Sequence, residues 1–198
     1  MGIGYLHSYY SSRPITDWNT CGQAAVATML DFYGLDPFSI GKPVYDPEDE
    51  RFHWRDGEVI DAIRELYPPD CLRSLCGTRP GQIAHALSYW GLDSFFLSSR
   101  DEHKQPAKNW DAVKAAVAGG KPVITIMDRT RLGRKPFVAH WAVIRDIDAS
   151  GVHIANTEGI ETVEEPEYLR SFECWFMPRE FRRCAIFCDL PKAKSFRQ

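Results

Sequence analysis

The chain has 198 residues, of which 44% are hydrophobic and 13% aromatic, so it can bury a sizeable core and is not wholly disordered. Its formal net charge of −3 argues against a general nucleic-acid binder. No apolar run approaches the roughly 20 residues of a membrane span, and the N-terminus resembles no secretory signal. We therefore expect a single domain over residues 1–198 in the cytoplasm, with a secreted effector domain as the alternative.

The first half of the chain has the hydrophobic spacing of helices. Capping residues and glycine or proline stops predict four of them, which begin near Cys21, near Asp56, at Thr78 and at residue 110. A short strand is predicted at residues 95–97, and residues 35–55 are predicted to form a long loop.

The second half is predicted to be rich in β-structure. Alternating apolar residues indicate strands at 122–127, 138–145, 152–156 and 183–188. A basic stretch at 129–136 and an acidic stretch at 158–167 are typical of solvent-exposed charged faces. Helices followed by an antiparallel sheet indicate the α+β class, with a helical part over about 18–118 and a β-rich part over about 119–190.

Six cysteines are present, and their spacing argues against a metal site. They are Cys21, Cys71, Cys76, Cys174, Cys184 and Cys188. No two of them have the C-x-x-C spacing of zinc ligands, so we expect no metal and no other cofactor. Most of these thiols are expected to be reduced and to pack as small hydrophobic side chains.

Cys21 stands out because it opens a predicted helix directly before Gly22. The unpaired N–H groups and positive potential of a helix N-terminus stabilise a thiolate, which is the nucleophilic form of cysteine. The same N–H groups could bind an oxyanion. A buried cysteine that only caps the helix is the alternative interpretation of this stretch.

His140 and Asn156 lie on two strands that we expect to form a hairpin. A five-residue loop over 146–150 would place His140 directly opposite Asn156, with their Cβ atoms about 4.5–5.5 Å apart. The amide could then hold the orientation and tautomer of the imidazole ring. Cys21, His140 and Asn156 would supply a nucleophile, a base and an orienting group. Taken alone, a histidine in such an apolar strand is more often a core residue than a catalytic one.

These residues resemble the papain-like cysteine peptidase superfamily. The resemblance rests on Cys21-Gly-x-Ala-Ala at the start of a helix, on Lys121-Pro-Val-Ile, on His140-Trp-Ala-Val and on Ile154-Ala-Asn. It is strongest for the bacterial branch of peptidases that process bacteriocin leaders at double-glycine motifs. The resemblance implies an N-terminal helical lobe packed on an antiparallel sheet, with the catalytic site between them.

One position departs from that branch, whose members usually carry a glutamine six residues before the cysteine as the oxyanion donor. Here that position is Ile15. Asn19 is the candidate replacement and Thr16 a weaker one, although Asn19 could instead cap the helix. Losing one such donor costs on the order of 10²–10³ in rate in comparable enzymes.

The leading functional hypothesis is a cysteine peptidase or amidase that acts on a peptide or amide substrate through an acyl-enzyme. One alternative transfers the acyl group to an amine instead of water. Another is a catalytically silent peptide-binding module on the same fold. The sequence does not predict the substrate or the oligomeric state.

Overall fold

The fold comes from a computed structural model, which describes residues 21–35, 44–46, 51–53, 63–68, 70–72, 75–102, 108–129, 139–156 and 159–191. Its helices are α1 (Cys21–Phe32), α2 (Pro80–Tyr89), α3 (Lys108–Ala118) and α4 (Glu165–Phe172). Residues 63–66 are also helical. Within these ranges no helix is long and apolar enough to cross a bilayer.

The strands form one large sheet and two small hairpins. The hairpins pair β1 (Val44–Asp46) with β2 (Arg51–His53), and β3 (Asp70–Leu72) with β4 (Leu75–Gly77). The large sheet contains β5 (Asp93–Leu97), β6 (Val123–Asp128), β7 (Ala139–Asp148), β8 (Gly151–Asn156), β9 (Gly159–Val163) and β10 (Ala185–Asp189). Its order is β5-β10-β6-β7-β8-β9, and every neighbouring pair is antiparallel.

Helices cover both faces of the large sheet. On one face, α1 and α2 pack against side chains that include Ile126, Trp141 and Val143. On the other face, α3 and α4 pack against side chains that include Met127 and Ala142. Side chains of β6 and β7 therefore contribute alternately to two separate cores, because successive residues of a strand point to opposite faces.

The α+β class is confirmed, and most helices and strands lie where the sequence predicted them. α1 ends just before Gly34, whose φ of +65° supplies the left-handed conformation that commonly follows a helix. The helix predicted to begin at Thr78 begins at Pro80 instead. The short strand predicted at 95–97 is β5, which joins the edge of the sheet beside β10.

One prediction was wrong in detail: the loop predicted over 35–55 contains β1 and β2. The acidic stretch over 158–167, for which the sequence predicted a solvated face, forms β9 and the start of α4, and its described glutamates are exposed or half-buried. In α4, Tyr168 and Phe172 are four residues apart, so both side chains face the sheet and are fully buried. This packing outweighs the acidic character of the helix.

A buried hydrogen bond anchors α4 to the sheet, and it gives a test of the fold. The hydroxyl groups of Thr125 and Tyr168 lie 2.5 Å apart, and both side chains are fully buried. We expect Tyr168→Phe to lower the free energy of unfolding by about 1–3 kcal/mol, since the Thr125 hydroxyl loses its partner. Urea denaturation measures the change. Tyr89→Phe is the control because Tyr89 is exposed, and an equal loss in both variants would contradict the assignment.

Candidate active site

The first residue of α1 is Cys21, so its thiol lies at the N-terminal end of a helix, as predicted. Alanines and other good helix formers follow it, and residues 22–30 of α1 are buried. The sulphur interacts with three backbone N–H groups, those of Cys21, Gly22 and Trp141. Two of these belong to the helix end and the third to β7. The first turn of α1 therefore places the sulphur against the backbone of the central sheet.

Opposing effects set the pKa of the Cys21 thiol. Burial is the largest effect and raises this pKa above its ordinary value, since the thiolate loses hydration. The three backbone N–H groups and the charge of Arg129 lower it, but burial outweighs them. The sequence correctly predicted stabilisation by helix N–H groups. The thiolate form that it led us to expect is not the favoured resting form at neutral pH.

A compact polar network fixes the start of α1 against β7. The Gln23 side chain accepts a hydrogen bond from the Thr78 hydroxyl at 3.2 Å and donates one to the Tyr67 carbonyl at 2.8 Å. The Trp141 indole N–H donates to the Thr78 carbonyl at 2.9 Å. Residue 78 thus connects the helix that carries Cys21 to the strand that carries His140. Gln23, Thr78 and Trp141 are all buried, so these bonds are sheltered from water.

Gly22 allows this close packing, and its substitution tests the network. A Cβ at this position would lie 2.6 Å from both Cβ and Oγ1 of Thr78. We expect Gly22→Ala to lower the free energy of unfolding by about 1–3 kcal/mol, because Thr78 is held in place and cannot move aside without losing its hydrogen bond. Chemical denaturation measures the change.

The matched control for that variant is Gly81→Ala. Gly81 lies in α2, and a Cβ there would meet no atom within 4 Å. Alanine is the better helix former, so this substitution should be neutral or stabilising by up to about 1 kcal/mol. Equal stability of the Gly22→Ala variant and the unmodified protein would contradict the close packing described here.

His140 is the second residue of β7 and is only 6% exposed. It pairs with Met127 of β6, while the following residue, Trp141, pairs with Ile126. Strand alternation gives His140 the face of α3 and α4, whereas the Trp141 side chain packs on the face of α1, as predicted. The alternation alone therefore does not bring the imidazole of His140 to the Cys21 thiol. The pairing of β7 with β8 begins only at Val143. The thiol of Cys21 contacts the preceding part of β7, at the Trp141 N–H.

The predicted hairpin register was wrong. The strands turn at Ala149 and Ser150, so the loop has two residues rather than the five predicted over 146–150. Ile144 pairs with Ile154 instead of Val152, and a bulge at residue 145 shifts the register. His140 therefore does not lie directly opposite Asn156. The Ser150 N–H and hydroxyl both donate to the Asp148 carboxylate, which supports this tight turn.

Asn156 nevertheless lies on the predicted strand and is the last residue of β8. One further step in the observed register would place it opposite Ala142, two residues from His140. Every second residue of a strand lies on the same face. The position of Asn156 is therefore on the same face of the sheet as His140, diagonally across from it. The residues that bear on the oxyanion donor lie outside the described residues. They are the candidate donors Asn19 and Thr16, and Ile15, which stands where glutamine is usual.

Arg129 is a residue of the site that the sequence did not single out. We predicted it within an exposed basic stretch, but it is only 6% exposed. It directly follows β6, whose last residue, Asp128, pairs with Ala139 beside His140. Its charge lowers the pKa of the Cys21 thiol. Local charge pattern alone did not distinguish this buried arginine from its neighbours in the stretch.

The pH dependence of thiol modification tests the role of Arg129. The raised pKa of Cys21 predicts that labelling by iodoacetamide accelerates with pH and reaches no plateau below about pH 9. Arg129→Met should slow labelling at pH 8, since less thiolate forms without the nearby positive charge. Arg129→Lys keeps the charge and should label at close to the original rate. Superimposable pH profiles for folded Arg129→Met and the unmodified protein would exclude this role.

The other described thiols are less suited to act as nucleophiles. Cys174, Cys184 and Cys188 are free and buried, as predicted for small hydrophobic side chains. Burial raises the pKa of Cys174 and of Cys188 to about 12 and that of Cys184 well above its ordinary value. Cys21 is partly exposed and is therefore expected to react first among these four. No group of three or more potential metal ligands occurs within the described ranges.

Comparison with known proteins supports the fold but offers no close relative. The sequence matches no family model and no curated protein. Structurally, it is similar to a double-glycine-motif protease from an AMS/PCAT transporter in complex with the leader peptide. That likeness has a TM-score of 0.54 and 13% identity, and it covers 94% of this chain and 93% of that one.

Two further solved structures give the same result. The peptidase domain of Streptococcus ComA, a bifunctional ABC transporter, has a TM-score of 0.55 and 14% identity, with 93% of this chain and 99% of that one covered. A putative C39-like peptidase from Bacillus anthracis has a TM-score of 0.53 and 13% identity, with 89% and 91% covered. The resemblance to the double-glycine leader peptidase branch is thus confirmed at the level of fold.

Proposed function

We propose that this chain is a cysteine hydrolase that cleaves a peptide or amide bond through an acyl-enzyme on Cys21. The observation that carries the proposal is the position of its thiol. The sulphur lies at the N-terminus of α1, meets three backbone N–H groups and contacts β7 at the residue after His140. The fold shared with cysteine peptidase domains supports the same reaction class. The pairing of β5 with β10 ties the helical part of the chain to the β-rich part, which supports a single domain.

In the proposed reaction, His140 takes the proton of the Cys21 thiol, and the thiolate attacks the carbonyl carbon of the substrate. The negative charge that forms on the carbonyl oxygen is stabilised by the backbone N–H of Cys21, with Asn19 as the candidate side-chain donor. His140 then protonates the leaving amine. Water, deprotonated by His140, attacks the acyl-thioester, which releases the acid and restores the thiol. Asn156 is the candidate group that orients the imidazole.

The raised pKa of Cys21 bears on the role of His140. A thiol that rests in its neutral form must lose its proton when it attacks, so the imidazole would act as a general base as well as an acid. The charge of Arg129 would stabilise the thiolate as it forms.

A catalytically silent peptide-binding module is the second candidate. The raised pKa of the thiol favours this alternative, as does isoleucine at position 15. Such a module would bind its peptide equally well after Cys21→Ala, because no covalent bond is formed. Transfer of the acyl group to an amine is a variant of the first proposal and shares every step up to the acyl-enzyme.

Covalent labelling with electrophilic peptides separates these possibilities. A panel of peptidyl vinyl sulfones should add one peptide to the protein, and mass spectrometry should locate it on Cys21. Cys21→Ala should form no adduct, whereas the matched control Cys188→Ala should still react, since that thiol is buried in the core. His140→Gln should slow adduct formation by about 10²–10⁴-fold. A folded protein that reacts with no member of the panel would refute the enzymatic proposal.

A further inference from the structure

Four arginines line a cavity of about 640 Å³ beside the segment that leads into β10. They are Arg100, Arg179, Arg182 and Arg183, and the half-exposed Trp175 shares the cavity with them. We refer to these five residues as the arginine cavity. Two of the arginines are neutralised within the structure. Arg183 pairs with Glu102 at 2.6 Å and with Glu173 at 3.3 Å, and Arg100 pairs with Glu180 at 3.1 Å.

The other two arginines give the cavity a surplus of positive charge. Within the described part of the chain, neither Arg179 nor Arg182 forms an ion pair with a carboxylate. Arg182 uses its Nε to donate to the Met177 carbonyl at 2.6 Å, which leaves its two terminal nitrogens for a ligand. The Arg179 side chain is exposed. Two guanidinium groups at one cavity suit carboxylates, which they can bind through paired hydrogen bonds.

The backbone that carries these arginines is braced rather than loose. The Ser99 N–H donates to the Arg182 carbonyl at 2.8 Å, and the Ser99 hydroxyl donates to the Arg179 carbonyl at 2.8 Å. The main chain on both sides of Phe181 is therefore tied to the end of β5. A site held in this way loses less conformational freedom when a ligand binds.

Residues next to the arginine cavity pack close to the candidate active site. The rings of Phe181 and Trp141 lie 6.4 Å apart, and the Trp141 N–H contacts the Cys21 sulphur. A second cavity of about 490 Å³ shares Arg100 and is also lined by Arg79, which directly follows Thr78. Thr78 in turn packs on Gly22, so the segment that lines the second cavity adjoins the first turn of α1. This proximity is the basis for assigning the arginine cavity to a peptide held at Cys21.

A cavity of about 1070 Å³ lies elsewhere, lined by Asp93 at the start of β5, Lys121 before β6 and Leu190 after β10. Lys121 forms an ion pair with Asp189 there. Because β6 runs from Lys121 towards Asp128, this cavity lies at the opposite end of the sheet from Cys21. It shows no surplus of positive charge and no connection to the thiol, so the arginine cavity is the better candidate for contact with a substrate.

We propose that the arginine cavity binds an acidic segment of the peptide substrate, with Arg179 and Arg182 as the residues that select it. The inference rests on the proposed hydrolase function, because it assigns the cavity to a substrate held at Cys21. Aspartate or glutamate side chains of that segment pair with the two guanidinium groups. Trp175 offers a flat apolar surface to the stems of these side chains.

Direct binding tests this proposal independently of catalysis. The probes are two fluorescein-labelled decapeptides, one alternating glutamate with alanine and one alternating glutamine with alanine. By fluorescence anisotropy at low salt, the unmodified protein should bind the glutamate peptide about tenfold more tightly than the glutamine peptide. Arg179→Gln should weaken binding of the glutamate peptide by about two- to fivefold and leave the glutamine peptide unaffected. The preference should shrink as salt is added.

Arg170→Gln is the matched control. Arg170 is also an exposed arginine, but it lies within α4 and does not line the arginine cavity. Equal weakening by Arg170→Gln and Arg179→Gln would overturn the proposal in favour of general charge attraction. Absence of any preference for glutamate would overturn it too. So would displacement of the peptide by millimolar phosphate at constant ionic strength, which indicates a site for small anions. Self-association that depends on Arg179, without peptide binding, would assign the cavity to a second copy of the chain.

A second measurement separates this inference from the proposed function. The same two peptides, each ending in a vinyl sulfone, should label Cys21, the glutamate peptide faster than the glutamine peptide. Arg179→Gln should remove this difference without changing the rate for the glutamine peptide. If neither peptide labels Cys21 although the glutamate peptide binds, the hydrolase proposal fails and the acidic-peptide site stands. If both label at the same rate, the enzyme stands and the link between the cavity and its substrate is refuted.

Discussion

The contact between α1 and β7 through Thr78 is the constraint on which the candidate site depends. Gly22 lets the helix approach Thr78, whose hydroxyl bonds to Gln23 and whose carbonyl accepts the Trp141 indole N–H. Each bond is buried, so breaking one leaves an unsatisfied polar group that costs about 1–3 kcal/mol. The network positions the thiol against β7 without involving the side chain of Cys21 or that of His140. Its geometry is thus set by groups that take no part in the proposed chemistry.

The same packing explains why the thiol is not simply activated by its helix. Close approach to β7 adds the Trp141 N–H to the two amides of the helix end, but it also removes water from the sulphur. Desolvation can shift the pKa of a buried group by several units, and for Cys21 it outweighs the three hydrogen bonds. The positive charge of the buried Arg129, near the end of β6, also lowers this pKa and is the smallest of these effects.

The sequence predicted the elements better than it predicted their pairing. The start of α1, the strands that carry His140 and Asn156, and the α+β class follow from local spacing and helix stops, which depend on neighbouring residues. The register of the hairpin depends on a bulge at Arg145, where no glycine or proline marks it. Burial of Arg129 depends on contacts between distant segments. The local charge pattern suggested that this arginine is exposed, and tertiary packing overrode that pattern.

The bulge also determines on which face of the sheet the position of Asn156 lies relative to His140. A two-residue turn at Ala149 and Ser150 with no bulge would place Asn156 opposite Val143, on the face of α1 and away from that of His140. One extra residue in β7 reverses this alternation, so Asn156 returns to the face of Ala142 and His140. The bulge thus preserves the face but moves the pair from directly opposite to diagonal. Diagonal neighbours lie about 7–8 Å apart in Cα position, and long or ring side chains can bridge that separation. The corrected register therefore changes the geometry that the sequence predicted for the pair, from directly opposite positions to diagonal ones.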